Sequence, residues 1–363
     1  MISAEGSPNR SRAALGRIVP GAIALAVAAG VLVAGCSGSG GTARTIGVAP
    51  TPAPSVSASP STAPQAHLFV SSVAANAITT YQLNADGTPG ALIGTIAGSM
   101  TGLSGPSAVA VDSRGFIYAA NESSITVYPA NPIGTVNEAP VATIPIALPN
   151  CVAVAPNDQI YACEPGTVYV YAAHPSGASD ATPIAQVNAV AVAGTQTIPM
   201  AELNGVAFDS AGRYYVSNNI QSIFVMPPNP SGVVVGAQPA ALITGLGSAN
   251  DQTGGLHFPY GIGLDASGRI YVANFTLSSG EILVFPADPI GILNEAPVAT
   301  IAGDQTGGLS SCITCGLAIG PTGVIYVATG AAVLVFPANP TGTLNEAPIA
   351  TLTVSGGLGV AVH

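Results

Sequence analysis

The chain has 363 residues, only 7% of them charged; Lys is absent and all seven basic side chains are Arg. Three of these lie in the first seventeen residues, so beyond Cys36 four Arg face sixteen carboxylates, a balance near −12. Such a field excludes nucleic acid and anionic membrane surfaces as partners, because neither finds a Lys/Arg patch for its phosphates.

The N-terminus sets the expected compartment. A basic stretch ends at Arg17, an apolar run extends from Ile18 to Val33, and Val33-Ala34-Gly35-Cys36 follows. These four residues resemble the lipobox of bacterial lipoprotein signal peptides, with Val33 where Leu is commoner. The resemblance implies that residues 1–35 are a removed signal peptide and that the Cys36 thiol is acylated. The protein is then extracytoplasmic, lipid-anchored to a bacterial membrane at the cell surface or periplasmic face. An uncleaved anchor or a plain secretory signal is the other reading of the same apolar run. Residues 36–65 continue through GSGGT, TPAPS and ASPSTAP. This Gly/Ser/Pro/Thr-rich sequence has few bulky apolar side chains to bury and is expected to be a disordered tether.

Residues 66–363 are an internal repeat. Aromatic-centred strands recur at Phe69, Tyr118, Tyr161, Tyr215, Tyr271 and Tyr326. Each is preceded by a short apolar strand (AVAVD, GVAFD, GIGLD) and a Gly/Asp/Ser turn. A third strand (ITVYPA, ILVFPA, VLVFPA) and a fourth (VATI, IATL) follow. Short β-branched runs broken by Gly and Pro are an all-β pattern, and four strands per unit of roughly 40 to 50 residues make a propeller blade. The last residues, Gly357 to His363, open a repeat that Ala66 to Ser72 would continue. The expected fold is therefore a six-bladed β-propeller closed by pairing of N- and C-terminal strands. Deleting Gly357 to His363 should therefore destabilise the whole domain.

The pattern GIxxDxxGxIYVAN with an IxVF strand, clearest from Gly261 to Phe285, resembles NHL-type six-bladed propellers. It is more distantly similar to the gluconolactonase and senescence-marker-protein group of metal-dependent lactonases. The second resemblance implies a divalent cation held by acidic and Asn side chains at one mouth of the channel, one Asn lying in a PNG turn. Leu148-Pro149-Asn150-Cys151 and Leu203-Asn204-Gly205 match that turn in part.

Candidate positions around that mouth are the start of each first strand and the end of each second. The first set is Ser107, Asn150, Asn204, Tyr260, Cys315 and Leu358; the second is Ser72, Asn121, Glu164, Asn218, Asn274 and Thr329. Glu164 is their single acid, which would hold Ca²⁺ weakly at best, so no cofactor is expected. The Asn side chains either cap strand ends or, with Tyr260 as an apolar platform, form a polar site for a neutral ligand such as a sugar or peptide. Asp112, Asp209 and Asp265, three residues before a Gly, read as turn formers. The NEAP segments read as edge loops blunted by Pro.

Four cysteines remain beyond Cys36: Cys151, Cys163, Cys312 and Cys315. In an exported protein they suggest disulfides, with Cys151–Cys163 across one hairpin and Cys312–Cys315 as a local loop bridge. Cys315 beside His257 is a weak nucleophile–base pairing, and no GxSxG elbow occurs in the folded region. The sequence thus favours a non-enzymatic module that binds an envelope protein or a carbohydrate, with a lactone hydrolase as the enzymatic alternative.

Overall fold

The computed structural model describes residues 65–178, 182–192, 196–244, 255–276, 278–293, 296–309 and 316–363, without the side chains of 189–199. Residues 1–64, including Cys36 and the tether, and the Cys312/Cys315 pair lie outside the described residues.

Every described element of the repeat region is a β-strand, and the strands form six antiparallel four-stranded blades. Blade 5 shows the plan: Phe258–Leu264 innermost, then Ile270–Phe275, Gly280–Phe285 and Ala299–Ile301. The other inner strands are Ala108–Val111 in blade 2, Cys151–Val154 in blade 3, Leu203–Phe208 in blade 4 and Gly316–Ile319 in blade 6. Second strands are buried on both faces, because each blade packs between two others. The aromatic that marks the repeat is the anchor of that packing: Phe69, Tyr118, Tyr161, Tyr215, Tyr271 and Tyr326 are all at most 2% exposed. At about 25 cal/mol per Å² of apolar surface, such side chains supply much of the adhesion between blades.

The ring closes through one strand. Ala350–Val362 pairs at its start with Gly330–Phe336, as the outer strand of blade 6, and at its end with His67–Ser72, as the inner strand of blade 1. Phe69 faces Ala361 and Val70 faces Val360, and His67 and His363 exchange backbone hydrogen bonds of 2.7 and 3.1 Å. Ala77–Leu83 is the third strand and Pro89–Ala97 the outer one. The half repeats at the two ends thus complete one blade. Gly359 is required there: a Cβ would lie 2.5 Å from Ser71 Oγ and 2.6 Å from the Ala108 backbone.

The NEAP loops do more than blunt an edge. Between its third and outer strands, each of blades 2 to 6 sends a short strand to the rim of the preceding blade, where it pairs parallel. These are Gly134–Val136, Gly177–Ala178, Gly232–Ala237, Gly291–Leu293 and Gly342–Leu344. Each begins with a glycine at φ between 65° and 72°, which only Gly adopts without strain. The Asn of NEAP then holds the preceding loop: Asn137 Oδ1 accepts from Met100 N–H, and Asn345 Oδ1 from Gln305 N–H at 3.0 Å. The segment Asp304-Gln305-Thr306-Gly307-Gly308 is fastened in this way.

Removing Gly357 to His363 is expected to abolish the cooperative thermal transition of the whole propeller, not of blade 1 alone. Gly359→Val should cost about 2 kcal/mol or more through overpacking against backbone, read by denaturant unfolding. A truncated chain that melts like the full one contradicts the closure described above.

Candidate functional site

Six inner strands enclose a central channel of about 540 Å³. Its wall is largely Ala, Val, Gly, Leu and Ile, among them Ala110, Val154, Ala207, Leu264, Ile319 and Val360. Small residues are needed because neighbouring inner strands converge; a Cβ on Gly205 would lie 2.8 Å from the Tyr260 carbonyl. Two mouths differ in chemistry. One is ringed by the starts of the inner strands, the other by the hairpins joining first and second strands.

The first mouth carries the residues singled out from the sequence. Asn121, Asn218 and Asn274 are buried, at most 2% exposed, and their amides serve loops. Asn121 Nδ2 donates to the carbonyls of Ala119 and Ser124 and to Thr126 Oγ1, while its Oδ1 accepts from Ser104 N–H. Asn218 Oδ1 accepts from Glu202 N–H and its Nδ2 donates to Ser222. Asn274 Oδ1 accepts from His257 N–H; its Nδ2 donates to the Gly255 carbonyl and to Glu281 Oε1 at 2.7 Å. These three fasten loop to strand in three blades. Burial pushes the Glu281 carboxyl up, against the opposing pull of Asn274 and His257.

Asn150 is exposed, and its backbone N–H donates to the Cys163 carbonyl. Glu164 Oε1 accepts from Ala147 N–H at 3.0 Å. Asn204 Nδ2 donates to the Pro259 carbonyl at 3.2 Å, towards blade 5. Tyr260 is half-buried, its carbonyl accepting from the Ser217 hydroxyl; burial and the nearby Glu202 raise its phenol pKa. Cys151 and Cys163 are opposite one another in the blade 3 hairpin and joined by a disulfide. The cation that the lactonase resemblance implies does not fit these residues. A hard ion wants several charged oxygens, whereas Glu164 is already bonded to a backbone amide and Asn204 is turned to a carbonyl. Among the described residues no three His, Cys, Asp or Glu side chains form a group that could hold a metal ion.

The hairpin mouth holds the larger polar network, which grows from the turn aspartates. Oδ1 of Asp112, Asp209 and Asp265 accepts two backbone N–H bonds within its own turn, from Arg114 and Phe116, Ala211 and Arg213, Ser267 and Arg269. Oδ2 accepts from the aromatic of the second strand, Tyr118 at 3.0 Å, Tyr215 at 3.4 Å and Tyr271 at 2.9 Å, and from Arg114, Arg213 or Arg269. One carboxylate thus closes the turn, caps the buried phenol and fixes an arginine. Burial alone would raise the Asp112 and Asp265 carboxyls, but these bonds outweigh it and hold both below the ordinary carboxylate value. Burial, with the adjacent charge on Asp209, pushes the Tyr215 phenol up to about 12.

A second rule links the blades on this face. The residue between the two prolines, or beside the one, in each third-to-fourth loop takes a left-handed conformation: Asn131, His174, Asn229, Asp288 and Asn339. Four of these reach the turn of the preceding blade or its neighbour. Asn229 accepts from Asn157, Asp288 binds Arg213 at 2.5 Å, and Asn339 accepts from Arg269. His174 lies 3.5 Å from Asp112 and 3.4 Å from Asp158, whose carboxylate also accepts from the Ser113 hydroxyl and N–H. The sequence reading placed no functional group here. The signal was the aligned third-to-fourth loops, where His174 stands in the position of Asn or Asp. Beside the channel on this face, a second cavity of about 470 Å³ is lined by Ser210, Arg213, Ser267, Asp288 and Pro321 among others.

The strand topology sets the architecture, and solved structures at low identity are similar to it. A solved protein of unknown function from Bacteroides caccae superposes over 83% of this chain and 99% of its own, at 11% identity and a TM-score of 0.52. The WD40 β-propeller domain of Doa1 covers 80% of this chain and 81% of its own, at 9% identity and a TM-score of 0.48. A protein from Lactobacillus plantarum covers 82% and 99%, at 12% identity and a TM-score of 0.46. This chain is a β-propeller. No family model and no curated protein matches its sequence.

Asp112 and Asp265 have depressed folded-state values, so their contribution is present above the ordinary carboxylate pKa of about 3.9 and lost as pH falls through the lower folded value. The propeller is expected to lose stability on acidification below about pH 4. Asp265→Asn should be less stable at pH 7 by about 1–3 kcal/mol and flatter across that acid range in pH-resolved unfolding. Glu281 has the opposite sign: its raised folded value makes ionisation unfavourable to folding at neutral pH. Glu281→Gln, which can still accept from Asn274, should melt higher than wild type at pH 7, the gap closing towards pH 4.

Proposed function

We infer that this propeller is a membrane-anchored, extracytoplasmic binding or scaffold module. It is held through acylated Cys36 and the 36–65 tether, with residues 66–363 as a ring of NHL type. The observation that carries the binding reading is the engagement of the polar side chains. The turn carboxylates hold backbone amides, phenols and arginines, and the buried Asn amides hold loops. A general acid, a base or a metal ligand must be available to a substrate, whereas groups fastened in this way give a rigid surface.

The hairpin face offers that surface for contact. Two adjoining cavities, the hydroxyls of Ser113, Ser210 and Ser267, and the exposed Asp288 carboxylate suit a neutral, hydrogen-bonding partner. A carbohydrate or the polar surface of an envelope protein has that chemistry. The 36–65 segment, rich in Gly, Ser, Pro and Thr, would give it reach from the membrane. Rigid walls favour such a role because binding then orders few side chains.

The anchor is tested by mass spectrometry of the mature N-terminus, which should begin at a lipid-modified Cys36; a chain retaining Met1 or Ile2 overturns it. The binding role is tested by glycan-array and membrane pull-down with wild type and an Asp288→Lys/Ser267→Trp variant. Capture lost in the variant supports the hairpin face. Lactone turnover by the protein that disappears in Asn204→Ala would replace the binding reading with a hydrolase.

A further inference from the structure

The blade 2 turn departs from the Asp–Arg pattern, and the departure moves a cation to the other side of a seam. In blades 4 and 5 the turns run from Asp209 to Arg213 and from Asp265 to Arg269, and each arginine is bonded to its own aspartate. That arginine then meets the loop of the following blade, at Asp288 or Asn339. In Asp112-Ser113-Arg114-Gly115-Phe116 the arginine's place is taken by Phe116, and Arg114 lies over the Phe116 ring at 4.7 Å. The blade 3 loop meets this turn through His174. The side chain that can be cationic now comes from the loop, and unlike arginine it titrates in the neutral range.

The His174 ring stands between two carboxylates. Its Nδ1 is 3.5 Å from Asp112 Oδ2 of blade 2, and its Nε2 is 3.4 Å from Asp158 Oδ2 in the turn of its own blade. Asp158 is held in turn from blade 2, its Oδ1 accepting from Ser113 N–H at 3.0 Å and its Oδ2 from the Ser113 hydroxyl at 2.7 Å. Burial raises the Asp112 carboxyl, but bonds from Phe116 N–H, the Tyr118 hydroxyl and Arg114 outweigh it and hold it in the ionised form. Tyr118 stays a neutral phenol, because burial and Asp112 push its pKa up. The Arg114 guanidinium, 3.3 Å from Asp112 Oδ2, is the remaining charge on this turn. A second imidazole is close by, since a Cβ on Gly115 would lie 3.8 Å from His363 Cε1. A neutral imidazole has one N–H and one lone pair, whereas its cation donates from both nitrogens. Between two acceptors the neutral ring must turn its lone pair towards one carboxylate; the cation suits both.

We propose that His174 is a pH-sensitive clasp across the seam between blades 2 and 3, closed when its imidazole is charged and slackened when it is neutral. An imidazole ordinarily takes up its proton at about pH 6.5 and a carboxylate at about pH 3.9. The clasp is complete between those values, and because it favours the protonated ring, its contribution is lost as pH rises. The other loop contacts on this face lack that dependence. Asn229 with Asn157 does not titrate, and the arginines that meet Asp288 and Asn339 keep their charge. Asp112, Ser113 and Asp158 also line the channel cavity, so slackening changes one wall of the mouth. The clasp belongs to the ring itself and does not rest on the binding reading.

The test is amide hydrogen exchange of the full chain at about pH 5.5 and about pH 8, on either side of the ordinary imidazole value. Rates are expressed as protection factors, so that the intrinsic pH dependence of exchange cancels. Ser113 to Phe116 and Ala172 to Gly177 should be about threefold better protected at the lower pH, the scale of a partly exposed ion pair. Ala266 to Tyr271, where Arg269 is charged at both values, should not change. In His174→Asn the response should vanish; Asn already takes the same left-handed backbone at 229 and 339, so the loop is expected to keep its path. Asp158→Asn should blunt the response, because its amide can donate to the free nitrogen of the neutral ring. Equal protection at the two values in wild type overturns the proposal. So does a response that persists in full in either variant, which assigns it to another group such as His363.

Discussion

The main-chain pairing of His67–Ser72 with Gly357–Val362 is the constraint on which the other contacts depend. Each blade buries its faces against two neighbours, so an open array would leave one face of a terminal blade in water. Closing the circle joins residues as far apart as Ser71 and Gly359, 288 positions in sequence. Loop-closure entropy grows only with the logarithm of length, so this costs about 3 kcal/mol more than closing a ten-residue loop. The burial of two blade faces exceeds that easily. The strand's shared membership explains the tight packing at Gly359: one continuous segment is rim strand in blade 6 and channel wall in blade 1. Its glycine lets the neighbouring inner strand approach.

Two further sets of contacts keep the circle from shearing. At the rim, parallel fifth strands tie each of blades 2 to 6 to the one before it through backbone bonds. On the hairpin face, left-handed loop residues reach back to the preceding turn. Both run in the same direction round the ring, because both arise from one loop whose proline and glycine set its path. A single repeated loop sequence therefore provides two interlocks in each of blades 3 to 6. The Asp–Arg–Tyr unit gives the second interlock a fixed target, since the arginine that meets Asp288 or Asn339 is held by its own turn aspartate. These pairs are partly exposed and individually worth little; their value lies in geometry.

The fold was legible because its signals are local and periodic. An aromatic in every second strand, an Asp-x-x-Gly turn and a split repeat at the ends need no knowledge of distant partners, and each fell where its blade required. The cysteines at 151 and 163 were legible for the same reason, since a hairpin turn centred near Asn157 places them opposite. What was not legible is inter-blade. That the NEAP loop carries a strand belonging to the previous blade follows from parallel register across two units, which no single repeat displays. The Asn residues at 121, 218 and 274 show the limit from the other side. Their spacing located the end of the second strand, but only tertiary neighbours such as Ser104, Glu202 and His257 reveal that their amides are engaged.

Departures from the repeat, rather than the repeat, make the hairpin face asymmetric. Contacts common to all blades hold the ring, and a surface of equivalent units would favour a ligand with matching symmetry. Apart from Gly320 in the blade 6 turn, the departures cluster. Blade 3 has Ala155 in place of the turn aspartate, and its Asp158 takes a left-handed conformation. His174 replaces the usual Asn or Asp, and in blade 1 His363 stands at the position that Asp265 has in blade 5. With Asp112 they gather on the side of the channel formed by blades 1 to 3, where Asp112, Ser113, Asp158 and His363 line the cavity. Opposite them, blades 4 and 5 present the regular Asp–Arg pairs. One mouth therefore has two chemically different halves. The first holds an imidazole and two carboxylates, His174 standing within 3.5 Å of Asp112 and of Asp158.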